Sequence, residues 1–297
     1  MKYAVISATV TDEIQFVDKS KIVVPGGAGI YALAGIKLWD DDVLIVTGIG
    51  EDYNELHGKW YRDNHISMDG LKIKDKKSPY TVIEYFEDGE REETPKYGVE
   101  HFCKLETTAE EMKPIMEQAE GIYIFKNTDM NFWEDVLKFK KESKAKVMWE
   151  VAADATYYEN LSAVEKIAKQ MDAVSLNMTE AKNLFCTEDS QTIISNLQSW
   201  NVELIFLRRG AKGAIMITPN EVVEVPSQPD VNVVDPTGGG NSSTGGVLCG
   251  LVEGYSPEIC GNMGSISAAM CISQHGVPEV ITEKMRNDAM KRAGIEE

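Results

Sequence analysis

The sequence predicts an α/β fold in which a mostly parallel central sheet is covered by helices on both faces. Short apolar runs alternate with helical patterns along most of the chain, an order typical of parallel sheets. No internal repeat or low-complexity linker divides the 297 residues. That length suits one large α/β domain over residues 1–297, with room for a small appendage.

The alternation is carried by short apolar runs and by segments of helical periodicity between many of them. The predicted strands are Tyr3–Ala8, Val43–Thr47, Gly121–Phe125, Val147–Val151, Ala173–Leu176, Glu203–Leu207, Ala214–Ile217 and Glu221–Val225. The predicted helices are Ile30–Trp39, Ala109–Ala119, Phe132–Lys141, Leu161–Lys169, Thr179–Phe185 and Ile193–Trp200. We expect the crossovers between parallel strands to be right-handed.

Helices are also predicted in the last third of the chain. Ser242–Leu251 consists mostly of small or apolar residues and suits a buried helix. Ser256 is a good N-cap, and it is followed by Pro257 and Glu258, which favour the first helical turn. A helix therefore begins at this point.

One stretch breaks the alternation and reads as paired strands. Leu71–Ile73 and Tyr80–Phe86 are strand-like, and a turn is expected at residues 87–90. The segment is either a small sheet that stands off the main domain or a simple hairpin decoration. We expect a small sheet built from about residues 9–24 and 69–98.

The charge balance argues against nucleic acid and anionic membranes as partners. The chain carries 48 acidic and 30 basic side chains, for a formal net charge of −18. Both of those partners require a basic face. A local phosphate site remains compatible with this charge, because it needs only backbone N–H groups and a cation.

Cysteine usage favours a reducing compartment. The five cysteines are odd in number and contain no C-x-x-C pair. The first residues read directly as a strand, without the pattern of a signal peptide or a membrane-length apolar run. We expect a cytoplasmic protein.

The most informative run is Asp235-Pro-Thr-Gly-Gly-Gly-Asn-Ser-Ser-Thr-Gly-Gly246. Three consecutive glycines expose backbone N–H groups without Cβ atoms, directly before a helical segment. Such a turn binds anions, because unpaired N–H groups and the positive end of the helix dipole meet there. The P-loop pattern and a strand-linked dinucleotide fingerprint are both absent from the sequence.

The run resembles the C-terminal signature D-T-x-G-A-G-D of the ribokinase-like (PfkB-type) sugar kinases. The resemblance implies that Gly238, Gly239 and Gly240 form an anion hole for the transferred phosphoryl group. The last position, where the family carries the aspartate that accepts the proton of the sugar hydroxyl, is Asn241 here. The resemblance also implies a ribokinase-like fold with a small β-sheet lid over the acceptor.

The acceptor site is implied by further matches near the N-terminus. Val23-Val-Pro-Gly-Gly-Ala-Gly29 resembles the family's Gly-Gly turn, which places Gly26 and Gly27 at the substrate. Asp12 matches the carboxylate that holds sugar hydroxyls, and Asn127 is a further expected contact. Tyr31 stands where many sugar kinases carry Asn, so the contacts to the acceptor differ in this chain.

Nucleotide and metal contacts are implied by three other segments. Asn177-Met-Thr-Glu180 is a helix-capping pattern and also resembles the family's N-x-x-E motif, in which the glutamate supports Mg²⁺ through water. The turn after the strand 203–207 implies ATP contacts from Arg209, Gly210 and Gly213.

Ser265 is expected at the nucleotide, although its small-residue helix equally suits a tightly packed core. The oxygens of Asp235 and Thr237 are the expected ligands of a monovalent cation, K⁺, as in some relatives.

Together these motifs imply transfer of phosphate from ATP, with Mg²⁺, to a hydroxyl of a sugar or small polyol. Asn241 leaves three interpretations open: a slow kinase or one with a base from elsewhere, a sugar- or nucleotide-binding protein on the kinase scaffold, and a deliberately inactivated form. A nucleoside acceptor is a further alternative. We expect a monomer, or a homodimer that forms through the lid.

Overall fold

A nine-stranded sheet lies at the centre of the protein, of which the computed structural model describes residues 1–87 and 91–295. Its strands are β1 Tyr3–Ile6, β4 Val43–Gly50, β5 Leu71–Asp75, β8 Gly121–Lys126, β9 Lys146–Val151, β10 Ala173–Asn177, β11 Leu204–Arg208, β12 Ala214–Ile217 and β13 Val222–Val225. The spatial order is β13-β12-β11-β10-β9-β8-β1-β4-β5. All pairs from β5 to β11 are parallel, and β12 and β13 extend one edge in antiparallel fashion. The predicted fold class is confirmed.

Helices cover both faces of this sheet. They are α1 Ala28–Lys37, α2 Tyr53–Asp63, α3 Val99–Leu105, α4 Ala109–Gln118, α5 Met130–Glu142, α6 Leu161–Ala168, α7 Met178–Phe185, α8 Ser190–Ser199, α9 Gly239–Val252, α10 Pro257–Cys271 and α11 Glu283–Ala293. Alternate strand residues enter two separate cores: Val5 packs on the side of α1, α9 and α10, and Ile6 on the side of α4 to α8. Across the described part of the chain, no helix combines the length and apolarity that a membrane crossing requires.

Three helices were not among the predicted elements. The buried face of α2 is built from aromatic residues, His57 and a glycine, so its aliphatic periodicity is weak. Helix α3 is only seven residues long. Helix α11 is highly polar and buries only Ala289 and Ala293, which leaves little hydrophobic pattern to detect.

A second, four-stranded sheet stands beside the first. Its strands are β2 Val10–Gln15, β3 Lys21–Gly26, β6 Tyr80–Tyr85 and β7 Arg91–Pro95, in the order β3-β2-β6-β7. The pair β2–β6 is parallel and the outer pairs are antiparallel. Leu71–Ile73, which we expected in this sheet, instead belongs to β5 and pairs with β4 in the central sheet. Of the turn expected at 87–90, residues 88–90 lie outside the described residues.

Helix α9 crosses its neighbours at very short range. A Cβ on Gly35 of α1 would lie 2.1 Å from the carbonyl oxygen of Ser242. On the other side, a Cβ on Gly246 would lie 2.5 Å from Oγ of Ser267 in α10. Small residues at these crossings therefore fix the position of α9, and with it the position of the glycine turn that precedes it.

His57 is a buried polar group that supports the start of the small sheet. Its Nε2 lies 2.7 Å from Oγ1 of Thr11, the residue before Asp12 in β2. The imidazole is 3% exposed and its ring centroid lies 5.1 Å from that of Tyr53. Burial lowers the pKa of His57 from 6.5 to about 4, because the charged ring would lose its water.

This shift predicts a specific acid sensitivity. The unfolded chain takes up a proton at His57 near pH 6.5 and the folded chain only near pH 4, so folding stability falls as the pH drops through that window. One such group contributes a slope of at most about 1.4 kcal/mol per pH unit. His57→Asn should flatten the dependence of the unfolding free energy on pH between these limits, as measured by urea denaturation.

The matched control is His65→Asn, since His65 is exposed and has a positive φ that asparagine tolerates. This variant should keep the wild-type slope. Equal slopes for His57→Asn and the wild type would contradict the assignment.

Candidate active site

The amino end of α9 forms a turn with the geometry of an anion site. Gly238 precedes the helix with a φ of 75°, in the left-handed region that favours glycine. A Cβ at this residue would lie 2.0 Å from the ring of Tyr31, so a larger side chain does not fit. The N–H of Gly239 donates to the carbonyl of Pro236 at 3.3 Å. The following N–H groups of the first turn have no intrahelical acceptor and can meet an anion.

Arg208, the last residue of β11, lies directly over this turn. A Cβ on Gly240 would be 1.9 Å from its Nη1. Its guanidinium spans two carboxylates, with Nη1 at 3.0 Å from Oε1 of Glu150 and Nη2 at 3.5 Å from Oε2 of Glu180. Within the described residues, its buried Nε has no hydrogen-bond partner. A cation with a spare donor above a helix N-terminus suits a phosphate group.

Asn177 and Glu180 form the capping box that the sequence predicts. The Oδ1 of Asn177 accepts from the N–H of Glu180 at 2.9 Å, and Oε2 of Glu180 accepts from the N–H of Asn177 at 2.6 Å. Burial raises the pKa of Glu180 above its usual value, and the charge of Arg208 opposes that rise. The capping box therefore fixes the Glu180 carboxylate near the glycine turn. A cation in addition to Arg208 would stabilise the charged form of this carboxylate.

Asn241 belongs to a buried polar network behind the turn. Its Nδ2 donates to Oε1 of Glu150 at 3.1 Å and lies 3.3 Å from Oη of Tyr123. Tyr123 in turn donates to Oε2 of Glu150 at 2.8 Å. Burial and the neighbouring Glu150 carboxylate raise the pKa of Tyr123 well above its usual value, so its hydroxyl stays protonated.

A cavity of about 410 Å³ opens between the small sheet and the carboxyl ends of the central strands. Of the residues predicted to bind the acceptor, it is lined by Asp12, Gly27 and Tyr31, and of those predicted to be catalytic, by Gly238 and Asn241. The phosphate turn and the expected hydroxyl-binding carboxylate thus face one shared space, as phosphoryl transfer requires.

Three phenylalanines, which form an aromatic wall that was not predicted, also line this cavity. Phe102 comes from α3, Phe125 from the end of β8 and Phe132 from α5. An ion pair between Lys126 and Glu106 adds charge at the same wall, and the Lys126 ammonium lies 5.4 Å from the centre of the Phe132 ring. These groups offer flat apolar surfaces to a ligand, together with a few polar contacts.

Some predicted acceptor contacts lie beside the cavity. Position 26 has no room for a side chain, because a Cβ on Gly26 would be 1.8 Å from Oδ2 of Asp12. Asn127 follows β8, and its amide donates to Asp154 at 2.9 Å. It is not one of the described residues that line the cavity. Asn127 thus orders the loop after β8.

Arg209, which was predicted to contact a phosphate, has a different partner from Arg208. The guanidinium of Arg209, the first residue after β11, pairs with the exposed Glu224 at 2.8 Å. Gly210 and Gly213 bound the turn after β11 with φ angles of 59° and 78°. A Cβ on Gly213 would lie 2.0 Å from the carbonyl oxygen of Val225.

Ser265 faces the loop after β13. Its Oγ donates to the carbonyl of Pro226 at 3.2 Å. The flanking residues of α10 are packed against α9 at Gly264, whose Cβ would lie 2.9 Å from the carbonyl oxygen of Ser243. This segment therefore packs as a core helix, which is one of the two interpretations that the sequence allowed.

Asp235 and Thr237, the expected cation ligands, are engaged with each other and with a histidine. The Oδ1 of Asp235 accepts from the N–H of Thr237 at 2.9 Å, and its Oδ2 lies 3.2 Å from Nδ1 of His275. Across the described residues, no three histidine, cysteine or acidic residues are grouped as a metal site would need. The K⁺ site stays a prediction.

Sequence reasoning missed Tyr123, Glu150 and Arg208, although a signal was present. Glu150 interrupts the apolar strand Lys146–Val151, and a charge in a doubly covered strand requires a partner. In the sheet, Ser175 pairs with Glu150 and Asn177 pairs with Arg208. The period of two places these side chains on the α9 face, at the carboxyl ends of parallel strands.

Comparison with known proteins agrees with this geometry. The family model described as pfkB family carbohydrate kinase matches residues 4–284. A cytidine kinase from Thermococcus kodakarensis is 26% identical over 281 residues, covering 92% of this chain and 96% of the relative. The adenosine kinase structure from Sinorhizobium meliloti superposes with a TM-score of 0.80 at 18% identity, covering 98% of both chains.

A putative ribokinase II from E. coli, solved in complex with ATP and Mg²⁺, has a TM-score of 0.78 at 15% identity and covers 98% of this chain and 99% of its own. These structural matches show the ribokinase-like fold, and the family model extends over nearly the whole chain. The protein therefore belongs to the pfkB family of carbohydrate kinases and is a phosphotransferase.

Proposed function

We propose that this protein transfers the γ-phosphoryl group of ATP to a ribose hydroxyl of a nucleoside. The observation that carries the proposal is the shared cavity, which is lined by Asp12 and Asn241 and also by the aromatic wall of Phe102, Phe125 and Phe132. A carboxylate accepts hydrogen bonds from two vicinal hydroxyls, as ribose offers. Flat aromatic rings stack on a nucleobase, which a free sugar lacks.

The size of the cavity and the relatives support the same acceptor class. About 410 Å³ exceeds the space that a single pentose needs and lies within the range of small-ligand pockets. One relative that spans nearly the whole chain is a cytidine kinase, and one structural neighbour is an adenosine kinase. Sugar acceptors remain the alternative within the same chemistry.

ATP and Mg²⁺ fit the residues at the glycine turn. Arg208 and the first-turn N–H groups of α9 suit the phosphates, and the carboxylate of Glu180 suits a hydrated Mg²⁺, which prefers oxygen ligands and retains several waters. Bound there, Mg²⁺ supplies charge neutralisation of the transferred group. The ATP and Mg²⁺ complex of the E. coli neighbour supports this pair of cofactors.

The chain's own residues then prepare the transfer. Asp12 holds the acceptor, and Asn241 meets the hydroxyl that attacks. Arg208 and the glycine amides stabilise the charge on the transferred oxygens, which is the main requirement of a loose phosphoryl-transfer transition state. Tyr31, together with Thr81 and Ile83 of the small sheet, lines the same space.

A non-catalytic ligand-binding protein is the rival function, and Asn241 is the residue that favours it. An amide on its own is too weak a base to keep the proton of a hydroxyl at neutral pH. A binding protein would hold ATP and a nucleoside together without turnover, so measuring both binding and product separates the two functions.

Arg208 should contribute strongly to ATP use, whereas Arg209 should not. Replacing Arg208 with Gln removes a charge-assisted contact to phosphate that is worth about 1.5–3 kcal/mol, or roughly 10- to 150-fold in kcat/KM for ATP. Arg209→Gln is the matched control, because its side chain pairs with Glu224. Steady-state kinetics with ATP titration and calorimetric ATP binding measure both. An equal loss in the two variants would contradict the assignment of Arg208.

The acceptor class is tested by a panel of purine and pyrimidine nucleosides, ribose and fructose. Stacking of the base is worth about 1–3 kcal/mol, so a nucleoside should exceed ribose by roughly 5- to 150-fold in kcat/KM. Phe102→Ala should remove most of that advantage and leave ribose unchanged. Tyr158→Ala, at an aromatic residue that is 62% exposed, serves as control. Preference for a free sugar would overturn the nucleoside proposal while leaving the kinase intact.

A further inference from the structure

We propose that the carboxylate which drives proton removal from the acceptor stands on Glu150 rather than at residue 241. This inference rests on the proposed phosphotransfer. Glu150 is the last but one residue of β9 and is 2% exposed. Three donors reach its carboxylate: Arg208, Tyr123 and Asn241. A buried charge with this many partners is built into the site.

The orientation of the Asn241 amide follows from these contacts. An ionised carboxylate only accepts hydrogen bonds, so the group at 3.1 Å from Oε1 of Glu150 must be the NH₂ of Asn241. The same NH₂ lies 3.3 Å from Oη of Tyr123, whose proton is committed to Glu150. The Oδ1 of Asn241 is thus the atom left to accept a hydrogen bond from a hydroxyl in the cavity that Asn241 lines.

An aspartate at 241 conflicts with Glu150. It would place a second carboxylate oxygen about where Nδ2 now lies, 3.1 Å from Oε1 of Glu150. Two carboxylates at that range do not both ionise, and one of them takes up a proton. Asparagine at position 241 is therefore compatible with a charged Glu150. The site carries its negative charge on Glu150, whereas the family motif carries it on the aspartate at position 241.

The proton step uses both residues. The acceptor hydroxyl gives its proton to Oδ1 of Asn241 while an Nδ2 proton passes to Oε1 of Glu150. The hydroxyl oxygen forms its bond to the γ-phosphorus, the bond from that phosphorus to the β–γ bridging oxygen breaks, and ADP leaves with the electron pair. After product release the amide regains its ordinary form and Glu150 returns the proton to solvent. Asn241 touches the acceptor, and Glu150 acts through it.

Arg208 links this step to the nucleotide. Its Nη1 donates to the same Oε1 of Glu150 that receives the proton, and it lies over the phosphate turn at Gly240. When the phosphates of ATP attract Arg208, Oε1 of Glu150 loses one of its donors and has room to accept the proton from Asn241. ATP binding and the proton step thus share one side chain.

The test is a cycle of four proteins: wild type, Glu150→Gln, Asn241→Asp and the double variant. Glu150→Gln should lower kcat by about 10²- to 10⁴-fold, the usual contribution of a general base, with the KM values for ATP and acceptor within about threefold. Asn241→Asp alone should fail to raise kcat, because its carboxylate competes with Glu150. The double variant should recover at least about tenfold over Glu150→Gln, since it returns a single carboxylate to the site.

A second readout does not depend on turnover. In thermal unfolding at pH 8 without ligands, Asn241→Asp should lower Tm through repulsion with Glu150, and the double variant should regain most of that loss. Glu224→Gln, which removes the exposed carboxylate paired with Arg209, is the control and should match the wild type in both assays.

The failures are distinguishable. If the wild type is active and Glu150→Gln equals it, or if Asn241→Asp alone gains tenfold or more, the role of Glu150 is overturned and the kinase function stands. If no protein of the four transfers phosphate to any acceptor of the panel, the proposed function falls and the proton step falls with it.

Discussion

The close packing of α9 against α1 and α10 is the constraint on which the site depends. At the two crossings, a single added Cβ on Gly35 or Gly246 would lie within 2.5 Å of an atom of the neighbouring helix. Interiors packed at this density cannot yield without moving a whole helix. The amino end of α9 carries the glycine turn, the N–H groups of the first helical turn and Asn241. The packing of α9 therefore sets the distance of these groups from the strand ends.

The second requirement is charge balance at those strand ends. Glu150, Glu180 and Arg208 are largely buried, and each is held by at least one partner of opposite charge. Removing one member would leave another uncompensated, which is costly in a dry interior. In the proposed function, these charged groups are already in place before ATP and Mg²⁺ bind. The ligands then replace existing contacts, and the site does not have to assemble around them.

Much of the fold and part of the site could be predicted from the sequence. Strand and helix alternation gave the architecture, and Asp12, Gly27, Tyr31, Gly238 and Asn241 do line one cavity. The assignment of Leu71–Ile73 to the small sheet was wrong because a short edge strand has the same sequence pattern in either sheet. Its pairing partner, β4, lies far away in the sequence and cannot be identified from the strand itself.

The sequence motif does not show which of the adjacent Arg208 and Arg209 has its side chain on the α9 face of the sheet. In the structure it is Arg208, the last residue of β11. The aromatic wall was missed because its residues come from α3, β8 and α5, and only the folded chain brings them together.

Tyr31 has a consequence for the choice of acceptor, since its one ring lines the acceptor cavity and also packs against Gly238. A smaller side chain at position 31 would therefore leave a gap above Gly238 and enlarge the cavity at the glycine turn. In the proposed function, this ring thus limits the size of the alcohol that can reach the glycine turn.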